Sequence, residues 1–159
     1  MLTACAVSTP VQIRSTGDGS TARTGVTINS PEEDTSSDRG RLAAALEEAF
    51  SSRSIANQPQ AELIADYALS TNDAAGGIAT NSEGTQTQEP NWIIAPRDKR
   101  RFDRCSAKRM LATLILFNRT SGALVYRGQA AKIECEFEDA DITKMAEKLV
   151  SDALKTPQN

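Results

Sequence analysis

Two stretches of the sequence repeat their apolar residues with the period of a helix. Leu42, Ala45, Leu46, Ala49 and Phe50 recur at i, i+3, i+4, i+7 and i+8, and Ile142, Met145, Ala146, Leu149, Val150, Ala153 and Leu154 form a second such stripe. Each is one face of an amphipathic helix. Ser36, Ser37 or Asp38 is placed to cap the first, and Asp139 or Asp141 the second, which Lys155 and Pro157 close. Elsewhere the pattern alternates. Residues 108–117 and 123–134 are two strand-like runs joined by Asn118-Arg119-Thr120-Ser121-Gly122, which predicts a hairpin. Residues 60–70 (QAELIADYALS) place Leu63, Ala65, Tyr67 and Leu69 on one side. This pattern fits a strand or a short helix, and Pro59 before it and Thr71-Asn72-Asp73 after it favour the strand. Val11-Gln12-Ile13 and residues 25–29 read as two further short strands.

Between the fourth and fifth of these elements lies a polar stretch, 72–90, containing Gly76-Gly77; its composition predicts a mobile loop. The order strand, strand, helix, strand, loop, hairpin, helix predicts an α+β two-layer sandwich, a mostly antiparallel sheet with two amphipathic helices on one face. The expected organisation is a signal-peptide remnant over 1–5, a flexible tether and first strand over 6–24, and a single domain over 25–156. Two helices suffice for one face of such a sheet, so the other is left to solvent or to a partner.

Composition removes several functions. The 159 residues contain no histidine, so the commonest general base and metal ligand is missing, and a serine–histidine triad is ruled out. A net charge of −3 and a pI near 5.1 argue against nucleic-acid binding. Charge is uneven: residues 1–90 carry 5 basic and 12 acidic side chains, residues 91–159 carry 13 and 9. Asp66 and the pair Glu134/Glu136 are carboxylates with no partner in the sequence pattern to raise a pKa, and read as solvated. No cofactor is expected.

Of the three cysteines, two address each other. Opposed residues in an antiparallel hairpin have numbers with a constant sum, and a turn centred on Thr120 or Ser121 sets that sum near 240–242, which Cys105 and Cys135 satisfy. A disulfide there would imply an oxidising compartment; two unpaired thiols are the alternative. The third, Cys5, ends Leu2-Thr3-Ala4-Cys5, the form of a lipobox, and a Ser/Thr/Pro-containing tether follows it. Cys5 is thus the expected lipidation site, with the front of the signal peptide lost to a late start codon or trimming.

Four pieces, LAAALEEAF, AELIADYALS, TLILFNRTSGALVYRGQAA and ITKMAEKLVSDAL, carry a family resemblance. The run from Leu42 to Leu154 resembles a family of small bacterial envelope lipoproteins known only as a domain of unknown function. The most specific piece is Thr120-Ser121-Gly122 through Val125-Tyr126-Arg127-Gly128, with Tyr126 where tryptophan is usual and Asn118 where aspartate is common. The resemblance implies an envelope location and no agreed activity, so it supplies no catalytic residue. In that setting Ala6, rather than aspartate, after a diacylglyceryl- and palmitate-bearing Cys5 implies the outer membrane, facing the periplasm.

One surface feature is left. Arg97, Lys99, Arg100, Arg101, Arg104, Lys108 and Arg109 form a basic run broken by Asp98 and Asp103, with Trp92 and Phe102 near. Such a run would pair bidentately with phosphate or carboxylate on an anionic glycopolymer or lipopolysaccharide, or simply face water. The expectation is a non-enzymatic, lipid-anchored domain that binds an envelope component or partner protein. A structural lipoprotein docking on an outer-membrane machine comes second, and a hydrolase a distant third.

Overall fold

The longest alternating stretch folds into the central hairpin of the protein. In the computed structural model, which describes residues 8–29, 37–75, 78–80, 91–94 and 105–155 (only the backbone for 23–24, 78–80 and 91–94), β6 spans Lys108–Asn118 and β7 spans Leu124–Glu134. They pair antiparallel from Lys108↔Glu134 to Phe117↔Leu124, with a bulge between Leu116 and Phe117. The turn has its own chemistry. The Asn118 side-chain oxygen accepts the N–H groups of Thr120 and Ser121 at 3.0 and 2.9 Å, and Gly122 takes the left-handed φ of +68° that its missing Cβ permits. Arg119 then ties the turn to the rest of the sheet: its guanidinium donates to the carbonyls of Ala61 and Pro59 and to Thr27 Oγ1.

On either side of this hairpin the sheet is completed in the order β1-β7-β6-β3-β2, with β1 at Gln12–Gly17, β2 at Val26–Ile28 and β3 at Leu63–Asp73. All pairings are antiparallel except β2 with β3, which are parallel because the chain crosses over through α1 (Asp38–Ser51) between them. Both helices, α1 and α2 (Asp139–Ala153), pack on one sheet face and on each other. The architecture is the α+β two-layer sandwich expected from the pattern. The core is the set of residues the periodicities select: Leu42, Leu46 and Phe50 from α1, Met145, Leu149 and Val150 from α2, and Leu63, Tyr67, Leu114, Leu116 and Tyr126 from the strands. Among the described residues no helix is long and apolar enough to cross a membrane.

Three details depart from the sequence expectations. β3 does not stop at Ser70 but runs to Asp73, and Ile78–Thr80 (β4) pairs with Asn91–Ile94 (β5) as a separate two-stranded sheet, so the stretch read as a loop over 72–90 holds the end of β3 and all of β4. The polar residues Thr71-Asn72-Asp73 are strand because β6 offers them partners down to Lys108, a non-local cause that local composition does not carry. In the segment expected to hold a flexible tether and the first strand, 6–24, the chain is bound already at Thr9, ahead of β1: its N–H donates to the Ile133 carbonyl at 3.0 Å. For the caps, Ser37 is the residue of its trio that holds α1, accepting Gly40 N–H at 3.0 Å. α2 begins one residue earlier than expected: Glu138 is the N-cap, and Asp141 reaches back to accept its N–H at 3.0 Å.

The Val-Tyr-Arg-Gly run has a packing reason. The Tyr126 ring lies across Gly128 on the buried face, so that a Cβ at 128 would come 2.1 Å from Tyr126 Oη. Gly128→Ala must push that ring from its seat. It is expected to lower stability by about 1–3 kcal/mol, as overpacking of a filled core does; urea unfolding should show a lower midpoint at unchanged slope.

Candidate functional site

The open end of the central hairpin gathers the chemistry that the sequence singles out. β6 and β7 bring Cys105 and Cys135 to a Cα–Cα distance of 5.8 Å, and the two are joined in a disulfide. It closes a loop with a sequence separation of 30 residues around the whole hairpin. The basic run does not continue into this region as one patch. Lys108 and Arg109 are the first residues of β6, so alternation sends them to opposite faces: Lys108 is exposed, whereas Arg109 is 8% exposed between Asn72 and Ile133, where burial lowers the pKa of its guanidinium. Arg109 is therefore withdrawn from the anion-binding set, because at the start of the strand read over 108–117 its side chain is buried. Arg97, Lys99, Arg100, Arg101 and Arg104, like Phe102 and the expected lipidation site Cys5, lie outside the described residues.

Two polar clusters escaped the sequence reading. At the end of β7, Lys132 stands on the core-facing side of the alternation and is held between the carboxylates of Glu134 and Asp141. Its side chain is 11% exposed and that of Asp141 is 9% exposed. Burial pushes the Asp141 carboxyl up, but the Lys132 ammonium and the Glu138 N–H outweigh it and hold the group below its ordinary value of 3.8. Burial likewise opposes the charged form of Lys132, and hydrogen bonds to Asp141 and Glu134 outweigh it, raising the ammonium above 10.5. Glu134 is thus an ion-pair partner rather than a solvated carboxylate. The signal was present in the sequence: a single lysine at a position whose predecessors Tyr126, Gly128 and Ala130 all face inward.

The second cluster links β1 to α2. Tyr126 Oη donates to Asp152 Oδ2 at 3.1 Å, and Ser15 hydrogen-bonds both groups. Burial, then the Asp152 charge, pushes the Tyr126 phenol well above its usual range, so it acts as a hydrogen-bond donor and not as an acid. On the Lys132 side, Ser8–Val11 and the exposed side of α2 enclose an open groove of about 360 Å³ lined also by Lys132, Lys144, Glu147 and Lys148. Lys148 Nζ donates to the Val11 carbonyl at 3.2 Å, fastening the N-terminal segment to the helix. Among the described residues no group of three or more histidine, cysteine, aspartate or glutamate side chains could hold a metal ion.

No family model matches the sequence, and no curated protein matches it significantly. Solved structures do share the fold. The PelC dodecamer from Paraburkholderia phytofirmans aligns over 94% of this chain and 100% of that one, with 14% identity and a TM-score of 0.55; a point variant of the same dodecamer gives a TM-score of 0.56 at 13% identity. A PDZ domain protein from Parabacteroides distasonis aligns over 95% of this chain with 8% identity and a TM-score of 0.58, and the chain spans 36% of that protein's length.

Two predictions rest on this end of the hairpin. Cys105→Ser with Cys135→Ser is expected to lower stability by about 3–4 kcal/mol, the chain-entropy value for a loop of this size, read as a lower melting temperature that reductant no longer shifts. The ion cluster sets a pH dependence. Asp141, depressed in the folded state, contributes stability that is present above 3.8 and lost as pH falls through its lower folded value; Lys132, raised, contributes stability present below 10.5 and lost as pH rises through its higher one. Asp141→Asn should therefore lower the melting temperature at neutral pH and flatten its fall below pH 3.8.

Proposed function

We propose that the chain is a non-enzymatic envelope lipoprotein, anchored through an acylated Cys5 in the outer membrane and facing the periplasm, whose domain binds an envelope partner. The observation that carries this is the Cys105–Cys135 disulfide. A structural disulfide belongs to an oxidising compartment, and in a bacterium that lies outside the cytoplasm. The lipobox form of Leu2-Thr3-Ala4-Cys5 agrees with it. So does the resemblance of Leu42–Leu154 to the envelope lipoproteins of unknown function. The binding surface we assign is the sheet face away from the helices, together with the basic residues Arg97, Lys99, Arg100, Arg101, Arg104 and Lys108, which suit an anionic glycopolymer or lipopolysaccharide phosphate.

The second reading, an assembly lipoprotein that docks on an outer-membrane machine, draws its support from the fold shared with the dodecameric PelC chain. Intact mass of the protein expressed from its own locus, with upstream DNA, tests the address. The expected species begins at Cys5 and carries acyl groups that a Cys5→Ser variant lacks; a chain beginning at Met1 with an unmodified Cys5 would overturn the lipoprotein reading.

A further inference from the structure

The sheet has one face covered by helices and one that neither helix reaches. On the face away from the helices the central strand β6 presents Leu111, Thr113, Ile115 and Phe117, all half-buried, flanked by Ile64 of β3, with Arg109 buried at the strand's start. Among the described residues Leu124, opposite Phe117 in the register, is the large hydrophobic residue that is exposed, at 55%. This is an apolar ridge running along the middle of the sheet. Its flanks carry opposite charges in the same cross-strand row: Asp66 on β3 is level with Ile115, and Ile115 is level with Arg127 on β7. Both charged side chains are exposed. The Asp66 contact to Arg39 is long, 4.0 Å, between groups 62% and 58% exposed, so it leaves the carboxylate accessible.

We propose that this face binds a second copy of the chain, in a two-fold dimer whose axis runs along β6. The charge pattern selects that axis. Adjacent strands are about 4.8 Å apart, so Asp66 and Arg127 stand at equal distances on the two sides of β6. Rotation about an axis along β6 lays β3 of one copy over β7 of the other. Asp66 then meets Arg127 twice, and the apolar ridge meets itself. Rotation about an in-plane axis across the strands would instead lay Asp66 on Asp66 and Arg127 on Arg127. The chosen arrangement keeps the two central strands aligned, as sheets packed face to face prefer, and makes an isologous contact, the usual one for dimers. Three strands of 11 residues with the shorter β1 and β2 make a face on the order of 700 Å², close to the standard size for one partner in a stable interface.

The N-terminus agrees independently. Thr9 bonds Ile133, which is level with Arg109 at the beginning of β6, so the chain enters the sheet at its disulfide end. An axis along β6 brings both N-termini out at the same end, as two copies anchored in one bilayer require; the rejected axis would send them to opposite ends.

The inference names the partner within the docking reading above, and its test is independent of the lipid. The unacylated Cys5→Ser chain is examined by sedimentation velocity over a range of concentrations at low salt. A dimer is expected. Asp66→Arg and Arg127→Asp should each weaken it at least about tenfold, because each places two like-charge pairs across the interface, and the double variant Asp66→Arg/Arg127→Asp should restore it. A chain that stays monomeric at every concentration overturns the proposal. So does an oligomer, ring or otherwise, that is indifferent to both single reversals, or one that the charge swap fails to rescue. None of these results bears on the acylation of Cys5, which the intact mass decides.

Discussion

The register of the β6–β7 hairpin is the constraint on which the rest of the structure depends. β6 is the middle strand, and its even-numbered residues Met110, Ala112, Leu114 and Leu116 form the floor of the core. A slip of one residue would turn this floor to solvent and present Arg109, Leu111 and Ile115 to the helices. The register is held at both ends. At the turn, Asn118 and Gly122 fix the reversal, while Arg119 joins it to the carbonyls of Ala61 and Pro59 at the entry to β3. At the open end the Cys105–Cys135 disulfide closes the hairpin and Lys132 meets Asp141 at the start of α2. Between these pins the alternation has a single way to pack.

Such a fold is legible in sequence where the cause of structure is local or strictly periodic. Both helical stripes and the hairpin alternation depend on the chain's own period, and nearly every residue they select is buried. The disulfide was legible for the same reason, because hairpin arithmetic relates Cys105 to Cys135 without knowledge of any other element. What escaped has non-local causes. The polar end of β3 is strand because β6 pairs with it; β2, expected over 25–29, is there, with β3 and the segment around Ala56–Gln58 holding its two edges. Arg109 was read as part of a basic surface run, although the strand was read from 108, because alternation alone does not announce that this position is buried between β3 and β7. The α2 cap was displaced by one residue because glutamate is a poor N-cap, and the carboxylate three positions on supplies the missing bond from the opposite direction.

The buried polar groups follow from how the layers meet. The two helices lie on one face of the sheet, and α2 packs over both β7 and β1. That packing closes the core at two corners with paired polar groups instead of apolar ones: Lys132 with Asp141 at the start of the helix, and Tyr126 with Asp152 near its end. Breaking either pair would strand its partner in a poorly hydrated place, so these groups fix the position of α2 along the sheet. The Lys148 bond to Val11 extends the same logic to the N-terminal segment, which is held against the helix.

That fastening bears on how an anchored chain would stand. Cys5 is four residue steps from Thr9, a span of at most about 14 Å when fully extended. An acyl group on Cys5 would thus keep the disulfide end of the sheet near the bilayer surface, with the 118–122 turn at the opposite end. The sheet face away from the helices would then stand across the membrane plane, toward a neighbour that diffuses in the same leaflet. Confinement to a surface raises the effective concentration of such a neighbour far above its bulk value. A contact built from one apolar ridge and two exposed ion pairs, modest in free solution, would then suffice to hold two copies together.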